Sequence, residues 1–165
     1  LEGKTAPTHG CLKNIKTGGK MFWSRPKKDE VEIEGMVGKV AAEAEGLYRS
    51  GKMHCAEAVL AAVRNNFAPQ VPAEVVRMAS GFGGGSGSGC ICGAVAGGTI
   101  AIALVLQEDK KQIAALTKDL HKWFKEQYRA TCCKVVSQKG KEGCPLLTGN
   151  VAGKVAEMLT LSLNK

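Results

Sequence analysis

Seven cysteines hold most of the chemistry this sequence can do. Six of them fall in four places: Cys55, the triplet Cys90-Ile91-Cys92, the adjacent Cys132 and Cys133, and Cys144 just before Pro145. Cys11 stands apart near the start. Thiolates are soft ligands that suit zinc and iron–sulfur clusters, and they are also the nucleophiles of thiol–disulfide exchange. An odd count leaves at least one thiol without an internal disulfide partner.

Cys55 and Cys92 both open apolar, helix-forming runs. A helix start supplies unpaired N–H groups and the positive end of the dipole, which favour a thiolate and can donate to the sulfurs of a cluster. Eight of the ten residues from 81 to 90 are Gly or Ser. Gly83, Gly84, Gly85, Gly87 and Gly89, with Gly93 just beyond Cys92, would let the backbone approach a bulky group and take positive φ freely. Four thiolates from separate elements could then close one site: Cys55, Cys92, Cys133 and Cys144, with Cys90 and Cys132 as alternates one position away. Plain packing is the commoner fate of a cysteine on a helix face. That reading suits Cys132 and extends to Cys90, and Cys11 reads as an exposed thiol. The spacing matches neither a ferredoxin run nor a pair of zinc knuckles. An iron–sulfur cluster, a structural Cys₄ zinc and a thiol–disulfide protein using Cys90/Cys92 or Cys132/Cys133 therefore all remain open.

The elements that must position these residues read as helices. The chain has 165 residues, 44% hydrophobic and only 5% aromatic, enough for one domain with a core of Ala, Val, Leu, Ile and Met. The expected fold is all-α: a single compact domain of about five to six helices, residues 31–165, preceded by a basic, largely irregular arm, residues 1–30, anchored by Met21, Phe22 and Trp23. Residues 30–49 form the first helix, with Met36, Val37, Val40, Ala44 and Leu47 on one face. A second runs from Cys55 to the stop at Pro69, and a short third follows Pro72 up to Gly81. A central helix, apolar on all sides, spans 93–106. A long amphipathic helix covers 111–136, turning Ile113, Leu116, Leu120, Trp123, Phe124, Tyr128 and Cys132 inward. Residues 137–149 read as a loop. The last helix spans 150–163 and uses Val151, Val155, Leu159 and Leu163.

The net charge of +8 is concentrated in the first 28 residues and in 110–141. No nucleic-acid motif accompanies it, so nucleic acid is not the expected partner. A basic surface suits an acidic redox partner protein instead, and assembly as a homodimer is open. The glycine run lacks the G-K-[ST] ending of a phosphate loop. No Ser/His/Asp set or carboxylate pair assembles, so an electron carrier or redox subunit is expected rather than a stand-alone enzyme. No segment reaches transmembrane length. The chain starts at Leu1 without Met; a cleaved signal would make it a periplasmic or exported bacterial protein, and otherwise it would be cytoplasmic.

The cysteine-bearing pieces also arrive in a known order: C-A-E-A-V-L at Cys55, a glycine-rich lead into C-G-A-V-A-G-G at Cys92, C-K-V-V at Cys133 and C-P-L-L at Cys144. Over residues 36–163 this resembles the redox-active protein family named for its C…GCAxxG…C…C pattern and, through it, the split-Soret cytochromes of sulfate reducers. The resemblance implies a bound prosthetic group, here an iron–sulfur cluster (4Fe-4S), with the four pattern cysteines falling on Cys55, Cys92, Cys133 and Cys144. Some members carry a twin-arginine export signal. Covalent haem is not expected, because no C-x-x-C-H occurs. His9, His54 and His121 are the candidate axial ligands for any non-covalent haem, and His54 stands out because it adjoins Cys55.

Overall fold

A computed structural model describes residues 28–164, with side chains from residue 32 onward. Most of the expected arm, with Met21, Phe22, Trp23, His9 and Cys11, lies outside the described residues. α1 runs Lys28–Arg49, two residues earlier than the expected start. Its periodic face packs as the sequence suggests: Val40 and Ala44 are fully buried, and Met36, Val37 and Leu47 pack against them. α2, Cys55–Phe67, buries Ala56, Ala58 and every residue from 59 to 63. Glu57 caps its start by accepting the His54 N–H at 2.9 Å.

α3, Gly93–Leu106, is buried from Gly93 through Gly98 and again at Ala101 and Ile102. It packs against α2, against α4 (Lys110–Tyr128) and against α6 (Cys144–Leu163). α6 in turn lies along the length of α1. Close helix crossings explain the small residues. A Cβ at Gly97 would strike the main chain of Ala56, and one at Gly149 would come within 2.9 Å of the Ala41 carbonyl oxygen. Without those side chains the α2–α3 and α1–α6 pairs can approach backbone to backbone. Among the described residues the protein is a single all-α domain. Its only sheet-like pairing there is an isolated antiparallel bridge between Ile91 and Cys132.

Four expectations need correction. Residues 73–82 form a 3₁₀ segment, Ala73–Phe82, rather than an α-helix; apolar spacing over so short a run does not separate the two. The long helix does not reach 136. α4 ends at Tyr128, Arg129 turns left-handed (φ +66°), and a separate single-turn helix α5, Cys133–Val136, follows. The bonds that a continued helix would make are replaced by non-local ones: Cys92 N–H to Thr131 O and Cys133 N–H to Cys90 O, both 2.6 Å. Cys132 therefore leaves the inward face of α4. The supposed loop 144–149 is the first turn and a half of α6, whose Pro145 sits where a missing N–H costs nothing. Finally, Leu163 is 56% exposed, since the last turn of α6 runs past the core.

Candidate thiol cavity

The glycine-rich lead is the most unusual backbone in the molecule. Gly84, Gly85, Ser86 and Gly87 all carry φ between +58° and +69°, so four consecutive residues turn left-handed before the Cys90 N–H closes onto Gly85 O at 3.1 Å. Side chains other than glycine are disfavoured in this conformation. The turn pushes Gly85 against α5: a Cβ there would lie 2.6 Å from Cys133 Cβ. Glycine is thus needed at 85 both for handedness and for room.

That turn, the last turn of α1, the start of α2, α5 and the start of α6 enclose a cavity of about 290 Å³. Cys55, Cys133 and Cys144 line it, with Tyr48, His54, Ser137, Lys141 and the bare backbone of Gly83 and Gly84. Three of the four pattern cysteines therefore share one wall. The fourth, Cys92, is only 5% exposed and lies behind it; the neighbouring Gly93 is so close to Cys55 that a Cβ would fall 2.5 Å from its sulfur. The two alternates turn elsewhere. Cys132 donates its S–H to Gly89 O at 3.0 Å, and Cys90 is exposed. All six cysteines of the described residues are free thiols. His121 is remote from the cavity and contacts the Thr99 hydroxyl at 3.2 Å. Two larger grooves, at the α1–α2–α6 and α4–α6 surfaces, contain no cysteine.

The thiols share one electrostatic neighbourhood. Burial pushes the Cys92 thiol from its ordinary 9.0 up to about 12; the N–H groups of Ala94 and Val95 at the start of α3 oppose this, and Cys55 and Cys133 add to it. Cys55 is raised mainly by burial, against the Ala56 N–H, with charge on Cys133 and Cys144 adding. Cys144 is raised by burial and eased by a hydrogen bond from Tyr48. Tyr48 itself is driven to about 12, by burial first and then by Cys144, so its hydroxyl stays protonated as a donor to sulfur. Each thiolate so disfavours its neighbours that the cluster of thiols resists ionising unless a cation shares the charge.

Among the described residues no three His, Cys, Asp or Glu side chains are arranged to hold a single metal ion. Exposed Lys141 lines the cavity, and the ion pairs among the described residues are Arg49–Glu45 at 2.6 Å and Lys154–Glu157 at 2.8 Å, neither at the thiols. Of the wall, the sequence reading named the three cysteines, His54, Gly83 and Gly84 but missed Tyr48, Ser137 and Lys141. Tyr48 could have been found, since it lies four residues after buried Ala44 on the inward face of α1.

A family model described as "Putative redox-active protein (C_GCAxxG_C_C)" matches residues 53–158. No curated protein matches the chain, and no solved structure does. Among the described residues, no helix is long and apolar enough to cross a membrane.

Proposed function

From the premise that the chain belongs to this redox-active C_GCAxxG_C_C family, we propose that it is an electron-transfer protein or redox subunit whose thiol cavity holds an iron–sulfur cluster. The observation that carries the reading is the convergence of Cys55, Cys133 and Cys144 on one cavity of about 290 Å³. The donor set fits the group. Soft thiols face a space roomier than a lone ion needs, bare glycine backbone forms one wall, and Tyr48 can donate to sulfur. A thiol–disulfide role is less favoured at Cys92, whose thiol burial pushes up to about 12.

When bound, the cluster would supply one-electron chemistry. The chain's own residues would set its potential through burial, through N–H groups at the starts of α2 and α3, and through the Tyr48 hydroxyl. Lys141 at the mouth would draw an acidic partner protein. The test is anaerobic purification with iron, sulfide and zinc analysis and a visible spectrum. Iron and sulfide in near-equal amounts, with brown absorption that bleaches on reduction, are expected. Cys55→Ser, Cys133→Ser and Cys144→Ser should each lose most of the iron, while Cys132→Ser and Cys90→Ser keep it. Stoichiometric zinc with no sulfide would overturn the reading.

A further inference from the structure

The cavity wall contains one metal-binding donor that the four-cysteine pattern leaves out. We propose that His54 supplies the fourth protein ligand beside Cys55, Cys133 and Cys144, and that Cys92 acts one layer behind them as the anchor of the α3 start. This deepens the cluster reading and rests on it.

Position argues for His54. It borders the same cavity as the three thiols, whereas Cys92 does not. Its main chain is fixed at the start of α2 by two bonds, its N–H to Glu57 Oε2 and its carbonyl to the Ala58 N–H, both 2.9 Å. Its ring packs against Gly83: a Cβ there would meet Cδ2 at 2.8 Å, Cγ at 3.1 Å and Nε2 at 3.4 Å. Any residue but glycine at 83 would displace the imidazole, so the glycine-rich lead makes room for this ring as well as for Cys133.

Cys92 has a different task. It is 5% exposed, and its sulfur faces the Ala94 and Val95 N–H groups that open α3. Phe82 O and Cys55 Sγ crowd the adjoining Gly93, at 2.8 and 2.5 Å from where a Cβ would be. Cys92 is the N-cap residue of α3, buried next to the glycine that packs on Cys55 rather than on the cavity wall.

A neutral imidazole in place of a fourth thiolate leaves the site one negative charge poorer and raises its potential, as replacement of cysteine by histidine does in two-iron clusters. It also puts the nitrogen donor on the solvent side, since His54 is exposed whereas Cys55 is half-buried.

The experiment uses the full chain, reconstituted anaerobically with ferrous iron and sulfide, grown with and without ¹⁵N-histidine. Pulsed EPR of the reduced protein should show coupling to a directly bound nitrogen that changes with the label. His54→Ala should abolish that coupling, and His54→Cys should keep the iron while shifting the midpoint potential downward. Cys92→Ser, which retains an acceptor for the α3 N–H groups, should keep the iron and the coupling. Absence of nitrogen coupling in the loaded wild-type protein overturns the inference without touching the cluster reading, and needs no variant to fold. Cys92→Ser that melts normally yet binds no iron overturns it as well. Wild-type protein that takes up no iron and sulfide overturns the parent reading, and the inference falls with it.

Discussion

Glycine does two different jobs in this molecule, and the contrast separates its frame from its cavity. At Gly97 the backbone is ordinary right-handed helix, and the missing side chain lets α3 press onto the main chain of Ala56. At residues 84–87 the backbone itself is abnormal, with four successive positive φ values, one of them at Ser86. The frame uses glycine for proximity, where local preference and packing already agree. The turn uses it for handedness, where local preference has to be overridden by the two 2.6 Å bonds that tie residues 90–92 to 131–133. Cys55 belongs to the frame, and Cys133 opens α5, which packs against the turn. The cavity is therefore a joint between a part that folds by its own periodicity and a part held by contacts distant in sequence.

Breaking the frame should have the largest effect. Gly97→Leu would drive a side chain into the backbone of Ala56, which cannot rotate away. Overpacking against main chain should cost about 3 kcal/mol or more. Because Ala56 follows Cys55, iron binding should fall with stability. Urea unfolding followed by circular dichroism measures the first and iron analysis the second. An unchanged unfolding midpoint would mean that the α2–α3 crossing is not as close as described.

Two loop substitutions sharpen the contrast. Gly85→Ala and Gly87→Ala meet nearly the same φ, +69° and +66°, so each should lose about 1–2 kcal/mol from left-handed strain. Only at 85 does the new Cβ collide with Cys133; around 87 the space is open. Gly85→Ala should therefore lose most bound iron while Gly87→Ala stays loaded. Equal iron retention in the two would remove the turn's assigned part in placing Cys133.

The same division decides what could be read from the sequence. Val40 and Ala44 of α1, the buried run of α2 and the Leu120–Phe124 pair of α4 follow helical spacing, and all are buried. The break at Arg129 has no glycine or proline to announce it; it exists because Thr131 and Cys133 bond to residues 90–92, some forty positions away. The start of α6 was announced, since Pro145 is a first-turn residue, but the same Cys-Pro pair also reads as a loop. At the cavity, order and spacing pointed to Cys55, Cys133 and Cys144. They could not separate Cys92, which shares their pattern but lies behind the wall, because rotamer and depth leave no trace in spacing.

The smallest effect concerns the frame alone, at a histidine far from any thiol. Burial, with the charge of Lys125 adding, holds His121 below its ordinary 6.5, so the folded protein keeps it neutral against the Thr99 hydroxyl. The unfolded chain takes up a proton there first as pH falls through 6.5. Over that window the unfolded state binds more protons, and stability must decline toward acid until the folded-state value is passed. The ring is partly open to solvent, which keeps the effect modest. His121→Gln should flatten the fall of urea midpoint below pH 6.5 and leave the midpoint above it nearly unchanged. Since the cavity lies outside this contact, iron content and midpoint potential should not move with it. A change in either would mean that frame and cavity are coupled more tightly than their separate uses of glycine imply.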